Sequence, residues 1–151
     1  GLYRPSQVRG AMFQSEGFFS SLRFGFDEKH LYLRLDPARS GDEVAREVAA
    51  LRLVLNASDQ RVELEVPFRH GEMEVRLAAQ GASAAPVGGA AFRDIFELAL
   101  PFEKLGVAVG TSLAFAVRVM RGSVEVERLP RYGYLTVTVP DADYERKNWK
   151  V

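Results

Sequence analysis

Cysteine is absent from the 151 residues, which excludes disulfide scaffolds, thiolate zinc sites and cysteine nucleophiles. The same lack fits a reducing compartment, so a cytoplasmic location is the expectation. Histidine is scarce. His30 and His70 are the only two, and both fall in predicted turns, where a histidine is ordinarily a solvated polar residue. No two histidines stand at metal-ligand spacing, and there is no Gly-x-Ser-x-Gly elbow and no phosphate loop. Met12, Met73 and Met120 have no spacing that favours a haem ligand. No metal, no cofactor and no catalytic residue is therefore expected. Charge of one sign is lacking too, since 20 Lys and Arg balance 20 Asp and Glu. Bases and acids interleave, as in Arg61-Val62-Glu63-Leu64-Glu65, which argues against a nucleic-acid partner. No window approaches the roughly 20 apolar residues of a membrane helix, so no membrane partner is expected. Gly1-Leu2-Tyr3-Arg4 carries no signal-peptide pattern. No initiator Met precedes it, and the chain is expected to be a piece of something longer.

What remains is an ordinary folding composition. With 47% hydrophobic and 26% charged residues, the chain matches a globular average, and its length suits one domain over 1–151. The plainest pattern lies at 21–36. Leu22, Phe24 and Phe26 alternate with Arg23, Gly25 and Asp27; Leu31, Leu33 and Leu35 alternate with Tyr32, Arg34 and Asp36. A period of two sends neighbours to opposite faces of a strand. Asp27-Glu28-Lys29-His30 between them has the polarity and length of a hairpin loop. The two halves should pair antiparallel, with Phe24, Phe26, Leu31 and Leu33 buried and Arg23 and Arg34 outside.

Upstream, Gly10-Ala11-Met12-Phe13 opens an edge strand, and Phe18-Phe19 plugs one end of the core. Downstream, Pro37 ends the hairpin's second strand. Ser40-Gly41-Asp42-Glu43 matches a capping box, and Val44, Val48 and Leu51 continue it at helical spacing, which predicts a short helix over about 42–49. Period-two runs follow at Leu51-Leu53-Leu55, Val62-Leu64-Val66-Phe68 and Met73-Val75-Leu77. Residues 80–91 (QGASAAPVGGAA) read as a surface loop. Strands resume at Phe96-Leu98-Leu100 and Leu113-Phe115-Val117-Val119, separated by a helical turn at 102–105 that Gly106 stops. Val124 and Val126 have Glu125 and Glu127 as outward neighbours, and Leu135, Val137 and Val139 make the last strand. Eight to ten short strands with turn chemistry between them, and at most one or two short helices, predict an all-β fold, an antiparallel β-sandwich.

Most carboxylates occupy outward positions. Asp94 shares the apolar phase of Phe92, Phe96 and Leu98, as a buried hydrogen-bonded residue or beside a bulge. Aromatic residues near an Arg or Asp make a suitable constellation for a sugar, because a saccharide presents an apolar face to a ring and hydroxyls to nearby polar groups. Tyr132 and Tyr134 flank Gly133 next to Arg131, and the single Trp, Trp149, lies in the tail. Candidate carbohydrate-binding residues are thus Arg131, Tyr132, Tyr134 and Trp149. Packing is the competing role for each. Trp149 and Tyr144 are expected to dock the tail along the fold, beside 3–12.

Several segments together resemble a known group. Gly10-Ala11-Met12-Phe13-Gln14-Ser15-Glu16, with Leu22-Arg23-Phe24-Gly25-Phe26-Asp27 and Leu31-Tyr32-Leu33-Arg34-Leu35-Asp36-Pro37, is similar to the start of the C-terminal β-sandwich of glycoside hydrolase family 57 enzymes. Phe96-Glu97-Leu98-Ala99-Leu100-Pro101-Phe102 with Leu105-Gly106 resembles a later part of it. Glu127-Arg128-Leu129-Pro130-Arg131, Val139-Pro140-Asp141 and Tyr144-Glu145 up to Trp149 resemble its end. The broader class resembles the DOMON and family 9 carbohydrate-binding sandwiches, which share an immunoglobulin-like architecture. This resemblance implies an accessory module behind an α-glucan-active catalytic domain, and not an enzyme by itself. Its partners would be that upstream domain and an α-glucan. Two roles stay open: holding glucan, or packing against the catalytic domain and stabilising it with no ligand.

Overall fold

The computed structural model describes residues 9–14, 17–57, 60–79 and 84–139. Its strands are β1 (Arg9–Gln14), β2 (Phe19–Phe26), β3 (His30–Pro37), β4 (Ala50–Ala57), β5 (Gln60–Pro67), β6 (Gly71–Leu77), β7 (Gly88–Phe92), β8 (Phe96–Pro101), β9 (Ser112–Arg121), β10 (Val124–Leu129) and β11 (Leu135–Thr138). Two helices, α1 (Gly41–Glu47) and α2 (Phe102–Leu105), interrupt them. The fold is all-β and antiparallel, as the alternation predicts. Its strands are hydrogen-bonded into one sheet in the order β1-β2-β3-β8-β7-β6-β5-β4-β9-β10, with β11 also on β9. The seam at β5–β6 is narrow: only Leu64↔Leu77 and Glu65↔Arg76 pair there. Beyond that seam the sheet curls until its halves face each other. The Phe24 ring on β2 meets the Phe115 ring on β9 at 5.2 Å, edge-on, although these strands lie near opposite ends of the order. Core residues come from both halves, including Leu22, Leu31, Leu35, Leu64, Leu100, Leu113 and Phe115.

The hairpin has the expected register, with Phe24 opposite Leu33, Phe26 opposite Leu31 and Arg23 opposite Arg34. Leu31 and Leu33 are buried, whereas Phe24 and Phe26 are only partly so, packed against the core from its margin. Asp27 organises the turn. One carboxylate oxygen accepts the backbone N–H of Lys29 and of His30, each at 2.8 Å, and the other accepts the Tyr32 hydroxyl at 2.7 Å. The His30 ring stacks on Tyr32. Burial alone would raise the Asp27 pKa, but the bonds from Tyr32, Lys29 and His30 and the nearby imidazole outweigh it and leave the carboxyl below its ordinary value. Burial, then the bond to Asp27 and its charge, push Tyr32 up to about 12.

The pH consequence has two arms. A depressed carboxyl adds stability above its unfolded pKa, near 3.8, that is lost as pH falls through the lower folded value. A raised phenol adds stability below pH 10 that is lost as pH climbs from 10 to about 12. Melting temperature should therefore fall at both extremes. Asp27→Asn should flatten the acid arm, and Tyr32→Phe the alkaline one. Ultraviolet difference absorbance should find one tyrosine titrating near 12; all tyrosines ionising together near 10 would refute the assignment.

Local chemistry accounts for most remaining elements. Ser40 caps α1, its hydroxyl accepting the Glu43 N–H at 3.2 Å, and Val44 and Val48 turn inward. Gly106, at φ 67°, ends α2 as the sequence suggests. Phe18 and Phe19 are both buried, which makes them the core plug expected. Three expectations change. Residues 80–91 are not all loop, because 88–91 belong to β7, between β6 and β8. A Cβ on Gly88 would lie 2.6 Å from the Ala99 carbonyl oxygen, so the close passage of β8 requires glycine at that position. Asp94 is neither buried nor beside a bulge; it is exposed in the 93–95 turn that joins β7 to β8. Lastly, a bulge between Glu125 and Glu127 shifts the phase of β10. Past it Glu127 lies opposite Val119 on the inner side, whereas Val124, before the bulge and opposite Arg121 beside the turn, is exposed.

Candidate functional site

Both β10 and β11 run antiparallel to β9 along the same edge. Leu129 partners Val117 and Leu135 partners Phe115, so the chain leaves the edge and rejoins it on either side of Ala116. The five-residue excursion at 130–134 between β10 and β11 carries three of the four candidate residues. Arg131, Tyr132 and Tyr134 are all exposed there, Tyr132 at 83% and Tyr134 at 44%. Gly133, at φ 71°, lets the chain reverse between the two rings. Trp149, with the rest of the 141–151 tail and Tyr144, lies outside the described residues, as does the proposed docking of that tail.

The base of the loop is held in place. Pro130 is buried and follows a cis peptide bond. Its carbonyl accepts a hydrogen bond from Arg128 at 2.7 Å, and the Arg128 guanidinium lies over the Tyr134 ring, 5.0 Å from its centre. One side chain thus fixes both the loop's turn and the face of one ring. Arg128 was not among the sequence candidates. Its outward direction depends on the bulge, because past that extra residue it comes to lie opposite Arg118 on the outer face.

Two guanidiniums facing each other would repel, but Arg118 is neutralised from both sides. Glu125 accepts a hydrogen bond from its Nε at 2.8 Å and Glu63 one from its Nη1 at 3.2 Å. The Glu125 hydrogen bond is the main reason the Arg118 pKa rises above its ordinary value; the charges of Glu125 and Glu63 assist against burial. Arg52 and Glu65 extend this lattice at 3.0 Å. Val54 and Ala116, cross-strand partners, are buried on this outward phase. The loop therefore stands on a stiff, charge-paired sheet face.

Such a surface offers two rings, two guanidiniums and backbone polar groups to solvent. It can stack on an apolar face and donate hydrogen bonds to hydroxyls or carbonyls. Among the described residues no three His, Asp or Glu side chains gather as metal ligands. His30 and His70 engage neighbours: His30 stacks on Tyr32, and His70 stacks on Phe92 with Nε2 3.2 Å from an Asp42 carboxylate oxygen. Comparison with protein-family models, with curated proteins and with solved structures returns no match in any of the three.

Proposed function

We propose that this chain is a non-catalytic accessory module of an α-glucan-active glycoside hydrolase, and that it binds saccharide through the 130–134 loop. One observation carries the reading: Tyr132 and Tyr134 stand exposed, with Arg128 across the Tyr134 ring and the exposed Arg131 next in the chain to Tyr132, on a loop anchored at a buried proline. A tyrosine ring offers a ligand a large apolar face and a polar edge at little cost in conformational entropy. A sugar ring, apolar on one face and hydroxylated at its rim, matches stacking groups bordered by guanidiniums.

Retention of the purified chain on gels containing soluble starch or amylose tests this. Tyr132→Ala should lose about tenfold in affinity, since a stacked ring contributes about 0.5–1.5 kcal/mol beyond area burial. Its melting temperature should stay within a degree or two, because an 83% exposed ring supports little of the fold. Unretarded wild-type chain on every α-glucan tried would end the reading. A second role is favoured by Val109 and Val124, exposed at 62% and 60%. Aliphatic side chains suit protein packing better than sugar, so the module would then stabilise a neighbouring domain with no ligand. In that case Val124→Ser should lower the melting temperature of a longer chain carrying that domain and leave the isolated module unchanged.

A further inference from the structure

On the outer face of the other half of the sheet, Arg23 of β2 and Arg34 of β3 are direct cross-strand partners. Like charges so placed repel. One carboxylate lies within reach. Asp36 accepts Arg34 Nε at 2.7 Å through Oδ1, and accepts the Ser21 hydroxyl at 3.2 Å through Oδ2. Both its oxygens are engaged. Glu97, facing Arg34 from β8, is exposed and forms no ion pair within 4.0 Å among the described residues. Arg23 is left over. Its Nε is buried with no hydrogen-bond partner, and its guanidinium makes no ion pair among the described residues. A buried donor without an acceptor costs free energy that folding alone does not return.

We propose that Arg23, with Arg34 beside it, forms an oxyanion site that takes a carboxylate or phosphate group of a small molecule. A guanidinium presents its N–H donors as a planar fork matched to two oxygens. An anion bridging the outward N–H groups of the two guanidiniums would relieve the repulsion, and it would meet the orphaned Nε once the Arg23 side chain turned toward solvent. The site is separate from the 130–134 loop and does not depend on saccharide binding there.

Arginine Nε–H resonances, followed by two-dimensional NMR at constant ionic strength in chloride, read the site directly. Inorganic phosphate and acetate form the two arms. The signal missing from Arg23→Lys should move saturably with one or both anions, with a Kd on the order of millimolar. The anion that saturates identifies the ligand group. Signals from the exposed Arg69 and Arg93 should not saturate, and Arg34→Gln should weaken binding about tenfold. As a second measurement, Arg23→Met should be at least as stable as wild type in anion-free buffer, and the saturating anion should raise only the wild-type melting temperature. Failure of both anions to saturate the Arg23 signal overturns the proposal. So does an equal loss of stability in Arg23→Met with and without anion.

Discussion

Phe68→Ala is expected to cost about 3–5 kcal/mol, the range for deleting a buried aromatic side chain from a core. In a domain of this size that is roughly 10–15 °C in melting temperature. Phe68 follows the end of β5, and its N–H donates to the Ala49 carbonyl at 3.0 Å. From there its ring enters the opposite half of the sheet. It meets Phe19 edge-on at 5.8 Å, Phe92 at 4.6 Å and Phe96 at 5.7 Å, contributed by β2, β7 and β8. One side chain thereby bonds the two halves where the sheet itself has only the narrow β5–β6 seam. Three rings fixed on separate strands cannot all move into the space left behind, so the cavity should persist. Phe68→Leu refills most of it and should cost about 1–1.5 kcal/mol. Urea unfolding of both variants measures this. A loss below about 1 kcal/mol for Phe68→Ala would mean that the halves are held together elsewhere.

How legible these features are in the sequence depends on whether local pattern or close approach creates them. The hairpin is legible because Leu22, Phe24, Phe26, Leu31, Leu33 and Leu35 alternate cleanly, and that alternation sets its register. The cap of α1 is legible because Ser40 and Glu43 have the spacing a cap requires. β7 is not. Gly88, Gly89, Ala90 and Ala91 carry no apolar period to read, and at Gly88 the missing side chain reflects the close approach of β8. The bulge in β10 is equally hidden, and everything past it is then assigned to the wrong face. Glu127 therefore looks outward in the sequence and points inward in the fold. The candidate site divides along the same line. Its exposed rings announce themselves as Tyr132-Gly133-Tyr134, but Arg128 joins them only once the bulge is known. Arg23 and Arg34 both appear as solvent-facing residues. That they stand opposite each other, with the neighbouring carboxylate of Asp36 bonded to Arg34 alone, emerges from the pairing and the packing.

The inward turn of Glu127 leads to a coupled pair of substitutions. Its Oε1 accepts the N–H of Phe18 at 2.9 Å and that of Phe19 at 3.4 Å, tying the entry of β2 to β10 at the far end of the strand order. Gly17 makes room for the carboxylate. A Cβ there would lie 1.8 Å from Oε2. A flexible side chain could ordinarily swing aside, but this one would have to abandon both amides. Glu127→Ala leaves two part-buried N–H groups unsatisfied, at about 1–3 kcal/mol for a fully buried group and less where water reaches in. A total of about 2–3 kcal/mol is expected. Gly17→Ala should cost about the same, since it expels the carboxylate. The two losses share one cause and should not add. The double variant is expected near either single one, with a coupling of about 2–3 kcal/mol in a double-mutant cycle from urea unfolding. Glu127→Gln, which keeps an acceptor oxygen, should lose the least. Additive losses would show that Gly17 is needed for some reason other than the carboxylate, and that the curled sheet is not closed through Glu127.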